Sequence, residues 1–236
     1  MRAVIVATGQ APRLLPLSKD TPACMLEVGG TSILARQVEC LRSVGVDDIM
    51  IVVGPHHEQV EGFARGQRIE VCYNPFYLYS HVALSLWMIK RDLVEPFLFL
   101  YSDILVGQGV IEGLLEQKGE VCLAVKQGSM DEEAEKTVVE NGLVRQIGKE
   151  SVRAHQAYGE FIGVARFGEA GLPVLHEALD WLARENLEAR FTHLIRVLIE
   201  RGTSVSAYEI GDVPWIDIDF PEDVQMARHM FGRIDH

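Results

Sequence analysis

Five short, almost wholly apolar runs recur along the first half of the chain, at residues 3–7, 48–53, 69–73, 97–101 and 121–125. Each is rich in β-branched or aromatic side chains, the composition of a strand buried on both faces. The segments between them read as helices. Residues 32–44 put Ile33, Leu34, Val38, Leu41 and Val44 at helical spacing, with Thr31 or Ser32 as a cap and Gly45 as a stop. Helical stretches follow at 56–65, 80–92 and around 108–117. Strands alternating with helices restrict the chain to an α/β fold, a doubly wound, mostly parallel, Rossmann-like sheet. Ligands of such sheets bind outside the carboxyl ends of the strands.

The pattern changes after residue 126. Residues 136–149 alternate about Asn141-Gly142, the strongest short-range signal of a β-hairpin. A strand at 159–166, helices near 169–184 and 189–201, a strand at 203–209 and a last helix from about 221 to 231 complete the chain. At 236 residues, 48% of them hydrophobic, it can bury one sizeable core. No repeat, low-complexity tract or linker divides it. The expectation is one domain over 1–236, with the hairpin and its neighbours, roughly 127–160, inserted as a lid over the sheet.

A formal net charge of -12 gives no electrostatic case for nucleic acid or for an anionic membrane surface. Cys24, Cys40, Cys72 and Cys122 lack zinc-site spacing and read as reduced, buried thiols. No apolar run reaches the roughly 18 residues that span a bilayer, and no leader segment opens the chain, so a cytoplasmic protein is expected.

A loop of Thr8-Gly9-Gln10-Ala11-Pro12-Arg13 leaves the first strand. Backbone N–H groups and a guanidinium in such a loop can face one phosphate together. Gly9, without a Cβ, lets a nucleotide approach the backbone, and the Gln10 amide can read a base edge. Asp103 follows the most apolar strand, where it can serve a ligand or cap the next element. Asp217 and Asp219 share one face of an extended segment, where ligation competes with capping of the last helix. Lys149, at the end of the hairpin, can reach a phosphate or remain a solvated lysine. Glu160 can meet a cationic or hydroxylated group. Trp87, Trp181 and Trp215 read as core, although Trp215 abuts Asp217.

The opening also carries Ala7, Gly9, Arg13, Leu14, Pro16, Leu17, Pro22, Leu26, Val28, Gly29 and Gly30 in the order of a known signature. Further matches are Tyr73-Asn74-Pro75, Ser85-Leu86-Trp87, Ser102-Asp103, Ile147-Gly148-Lys149, Gly159 to Gly163, and 215–223. On these residues the chain resembles the nucleotidyltransferases that make nucleotide-sugars and CDP-alcohols. Within them it is most similar to the small phosphocholine and alkylphosphonate cytidylyltransferases. The resemblance implies that a phosphomonoester, phosphonate or sugar-1-phosphate attacks the α-phosphorus of a nucleoside triphosphate, CTP being favoured, and releases pyrophosphate with Mg²⁺. It implies Asp103 and Asp219 as the Mg²⁺ ligands, with Arg13 and Lys149 as catalytic cations. Ala7, Thr8, Gly9, Gln10, Ala11 and Ser102 are then nucleotide contacts; Glu160, His81, Trp215 and Asp217 are acceptor contacts. Such enzymes are often homodimers.

Three positions depart from the signature. Its second glycine is Ala11, Pro12 follows, and its Pro-Lys lysine is Ala23. The Asn-Asn ahead of Ser-Leu-Trp is His81-Val82. Losing one preorganised donor of this kind costs roughly 10²–10³ in rate. Lys19 is taken as the replacement cation, with Lys126 as another candidate. Two expectations follow: a working transferase with a shifted phosphate clamp, or a weakened or inactive homologue that binds nucleotide or ligand as a regulatory or partner subunit.

Overall fold

In the computed structural model, residues 1–128, 130 and 132–232 are described. The first half follows the expected alternation: β1 (Arg2–Ala7), a small ribbon of β2 (Glu27–Val28) and β3 (Thr31–Ser32), α1 (Ile33–Ser43), β4 (Asp48–Val53), α2 (His57–Ala64), β5 (Ile69–Tyr73) and α3 (Val82–Met88). Next come β6 (Phe97–Tyr101), β7 (Ile104–Val106), α4 (Gln108–Glu116) and β8 (Val121–Lys126). The second half contains β9 (Lys136–Glu140), β10 (Leu143–Gly148), β11 (Gly159–Phe167), α5 (Leu172–Glu185), α6 (Phe191–Glu200), β12 (Val205–Glu209), β13 (Trp215–Asp217) and α7 (Pro221–Phe231). Ser32 caps α1 by accepting from the N–H of Ala35. Asn141 and Gly142, at φ 52° and 77°, make the hairpin turn that their sequence requires.

One nine-stranded sheet runs β5-β4-β1-β6-β11-β8-β12-β10-β9. The strands β5, β4, β1 and β6 are parallel, and β8 is parallel to β12. The sheet is mixed beyond β6, because β11 enters between β6 and β8 antiparallel to both. Stacked rings explain that insertion: Phe97 lies 4.7 Å from Phe167, and Phe191 lies 4.0 Å from Phe99 and 5.2 Å from Phe161. The hairpin pairs onto β12 and β11, so it continues the main sheet at its edge.

Side chains alternate across the strands and feed two cores. Val4, Val6, Met50 and Val52 face α3, α5 and α6, while Ala3, Ile5, Ile49 and Ile51 face α1, α2 and α4. A third cluster joins Leu14, Ala23 and Leu26 of the opening loops to Leu105, Ile216, Ile218 and Val224. It anchors the loop after β1 against the C-terminal segment. All four cysteines are free thiols. Among the described residues no helix is long and apolar enough to cross a membrane.

Candidate active site

A cleft of about 520 Å³ opens at the carboxyl ends of β1 and β6. Those strands flank the point where the chain switches from one face of the sheet to the other, the expected ligand position. Every sequence-predicted site residue except Lys19 lines it. Ala7, Thr8, Gly9, Gln10, Ala11 and Arg13 form the loop after β1, and Ser102 and Asp103 follow β6. Lys149 arrives after β10, Glu160 from β11, and His81 from the start of α3. Trp215, Asp217 and Asp219 come from β13 and the turn beyond it.

A short backbone pairing joins the two acidic motifs. Strand β13 runs antiparallel to β7, with Asp217 opposite Ile104, and the N–H of Ile218 donates to the carbonyl of Asp103 at 2.9 Å. The carboxyls are thereby crowded. Burial, then the charge of Asp219, pushes Asp103 up to about 6, against the pull of its own backbone hydrogen bond and of Lys149. Asp217 remains open to cleft solvent but is driven upward by desolvation and by Asp103, Asp219, Glu135 and Glu160. Among the described residues no group of three or more His, Cys, Asp or Glu is arranged to hold a metal. Two repelling carboxylates facing Arg13 and Lys149 nevertheless fit Mg²⁺, which uses one or two carboxylates and completes its shell with phosphate oxygens and water.

The cations face this pair. Arg13 Nη1 donates to Asp219 Oδ2 at 3.2 Å, its Nη2 meets Glu133 Oε2 at 2.8 Å, and its guanidinium lies 5.6 Å from the Phe220 ring centroid. Lys149 Nζ reaches the same Glu133 oxygen at 3.3 Å. Those two cations, Lys149 first, hold Glu133 below the usual carboxylate range. Asp223 accepts from the N–H groups of Asp219 and Phe220 at 3.1 and 2.7 Å and fixes the approach to α7.

The loop after β1 rests on a buried polar network. Asn74, fully buried, donates to Ser80 Oγ at 3.1 Å and to Ser85 Oγ at 3.2 Å; Ser85 Oγ donates to Thr8 Oγ1 at 3.4 Å. This accounts for the Asn74 and Ser85 motifs as supports of the loop. A Cβ built on Gly9 meets nothing within 4 Å. Gly9 therefore presents open backbone to the cleft, as a nucleotide contact requires. Ala11 has φ 45° and ψ 54°, the left-handed region, which explains why the signature carries glycine there. Ser18 Oγ donates to the Ala11 carbonyl at 2.8 Å and helps hold that conformation.

Two expectations about replacement cations are corrected. Lys19 is exposed and lies outside the cleft lining, because the turn after Pro16 carries it toward solvent. Lys126 is engaged by the Gly211 carbonyl and by Asp212 at 3.8 Å. Ala23 does line the cleft, 8% exposed, with no charge to offer.

Sequence reading missed Glu133, Glu135, Tyr101, Lys136 and Arg190. Tyr101 donates to Glu135 Oε2 at 3.1 Å, and burial pushes Glu135 up to about 7. Lys136 is buried, its ammonium donating to the carbonyls of Glu132, Ala134 and Lys149 at 3.3, 3.2 and 3.1 Å. No spacing rule flags these residues: Tyr101 ends the apolar strand β6, Glu133, Glu135 and Lys136 lie before or at the start of β9, and Arg190 precedes α6.

Residues 3–200 match the sequence model of the MobA-like NTP transferase domain. The chain is 26% identical to a CTP:phosphoglutamine cytidylyltransferase of Campylobacter jejuni, over 96% of this chain and 98% of that one. It is 28% identical to a bifunctional IPC transferase and DIPP synthase of Aquifex aeolicus, over 96% of this chain but only half of that longer protein. The inositol-1-phosphate CTP transferase structure from T. maritima shares the fold, with a TM-score of 0.81 at 20% identity over 97% of this chain and 94% of that one.

Proposed function

The chain belongs to the MobA-like NTP transferase family and is a nucleotidyltransferase, and we propose that it moves CMP from CTP to a small phosphorylated or phosphonate acceptor. An oxygen of the acceptor phosphate attacks the α-phosphorus, the bond to the β-phosphate oxygen breaks, and pyrophosphate leaves. No covalent enzyme intermediate is required, so catalysis consists of alignment and neutralisation of growing negative charge. The convergence of Arg13, Lys149, Asp103 and Asp219 on one cleft carries this reading. Arg13 and Lys149 grip the departing phosphates. The Gly9 backbone and Gln10 take the nucleoside, and Thr8 is held in place by Ser85. Asp103 and Asp219 would hold Mg²⁺, which when bound neutralises phosphate charge. Glu160 and Asp217 face the acceptor. The cytidylyltransferase and CTP transferase relatives support CTP and a phosphorylated acceptor.

Ala23 favours a second reading, a weakened homologue that binds nucleotide without turning it over. Pyrophosphate release separates the two. Each of the four nucleoside triphosphates is tested with Mg²⁺ against phosphocholine, aminoalkylphosphonates, phosphoamino acids and sugar-1-phosphates. Turnover with CTP that is abolished in Asp103→Asn supports the transferase. A folded protein silent with every pair is the outcome the transferase reading does not survive.

A further inference from the structure

Three Lys and Arg side chains line the cleft, and two of them are already paired. Arg13 meets Glu133 and Asp219, and Lys149 meets Glu133. Arg190 has no carboxylate within 4 Å among the described residues. It stands just before α6 on a backbone fixed against the start of α3. There His81 N–H donates to Leu187 O at 3.2 Å, Ala83 N–H donates to Ala189 O at 3.1 Å, and His193 N–H donates to Arg190 O at 3.1 Å. Arg190 is therefore an exposed guanidinium carried on a rigid wall of the cleft.

Its neighbourhood adjoins the phosphate clamp and shares Glu135 with it. Asp103 feels Lys149, Glu135 feels Lys149 and then Arg190, and His81 feels Arg190 together with Glu188. Glu135 in turn feels Glu160. The cleft thus holds one guanidinium outside the ion pairs of Arg13 and Lys149, together with the acids Glu135, Glu160 and Glu188. A guanidinium offers a planar fork that binds a carboxylate through two parallel hydrogen bonds, and acids hold an ammonium.

We infer that Arg190 receives a carboxylate of the acceptor, so that the acceptor is a phosphorylated or phosphonate amino acid whose ammonium faces Glu135 and Glu160. The inference rests on the transferase reading and names its substrate class. Two matched pairs, each differing by one carboxylate, test it: phosphoserine against phosphoethanolamine, and 2-amino-4-phosphonobutyrate against 3-aminopropylphosphonate. Each is titrated calorimetrically into wild type, Arg190→Gln and Arg190→Lys, without nucleotide and with α,β-methylene-CTP.

The carboxylate-bearing member of at least one pair should bind wild type about ten- to a hundredfold tighter than its counterpart, the range for a charge-assisted bond. Arg190→Gln should erase that ratio while moving the decarboxylated member by no more than about twofold, and Arg190→Lys should keep part of it. Equal affinities within both pairs, no binding of any member, or a ratio that survives Arg190→Gln would overturn the inference. So would an Arg190→Gln effect confined to the nucleotide. Pyrophosphate release keeps the two readings apart. No turnover alongside an Arg190-dependent ratio defeats the transferase alone; turnover that ignores the carboxylate and Arg190 defeats this inference alone.

Discussion

Arg13 and Glu133 are joined by an ion pair of 2.8 Å within the cleft, and Lys149 shares the same carboxylate oxygen at 3.3 Å. An acidic side chain therefore lies between the two cations proposed to grip the departing phosphates. A triphosphate must displace Glu133 or share its partners. Both members of the ion pair are largely solvent-exposed, so the competition is modest: such pairs are worth about 0.2–1 kcal/mol. Glu133→Gln should tighten nucleotide binding by about two- to fivefold, with the gain shrinking as salt rises. Nucleotide titrations at low and high ionic strength read this directly; weaker binding in the variant would show that Glu133 helps hold the nucleotide.

Ala23→Lys should raise kcat/KM. The methyl of Ala23 lines the cleft beside Cys24, whose thiol is pushed up to about 12 by burial and by Asp103. A lysine there extends toward the acids and the phosphates. Restoring one preorganised donor gives a gain of at least about tenfold, against the 10²–10³ known for such donors. An unchanged rate would mean that Arg13 and Lys149 already suffice.

Ala11→Gly should stabilise the fold. A side chain in the left-handed region costs roughly 1–2 kcal/mol, part of which glycine returns as entropy in the unfolded chain. The expected net gain is about 1 kcal/mol, or a rise in Tm of about 2–4 °C at this size. A thermal melt that shows a lower Tm would contradict the strain.

Stability should fall as pH rises through the range from about 4.5 to about 7, in part because of Glu135. Its carboxyl is raised from 4.5 to about 7, mainly by burial. Over that window the native chain binds more protons than the unfolded chain, which is the condition for stability to decrease with pH. The side chain retains some exposure, so the share assigned to it is about 1–3 kcal/mol. Glu135→Gln keeps an acceptor for the Tyr101 hydroxyl and should flatten this slope in urea titrations across pH 4–8; a slope as steep as wild type rules out Glu135 as its source.

Lys136→Met should cost about 2–3 kcal/mol, since one buried and two half-buried carbonyls lose a charged donor. The same ammonium ties the residues around Glu133 and Glu135 to Lys149, so the nucleotide KM should rise as well. Equilibrium unfolding and initial rates measure the two effects separately.

Much of this molecule was legible before any coordinates. The apolar runs at 3–7 and 97–101, the Asn141-Gly142 turn and the helix cap at Ser32 act within a few residues, so local sterics and periodicity specify them. The motif residues from Ala7 to Arg13, with Asp103 and Asp219, line one cleft at the carboxyl ends of β1 and β6. What the chain alone left open depends on distant partners. The entry of β11 between β6 and β8 rests on aromatic stacking with Phe97 and with Phe191 of a helix 24 residues beyond β11 (Phe167 to Phe191). The meeting of Arg13 with Asp219 spans 206 positions and depends on the β7–β13 pairing and the cluster of Leu14, Ile216 and Ile218. The same dependence separates Lys19 from Arg190: the first is near the loop in sequence yet lies outside the cleft lining, and the second is distant in sequence yet lines the cleft. Local chemistry set the elements and the phosphate loop; only long-range packing chose which cations and acids share the cleft with it.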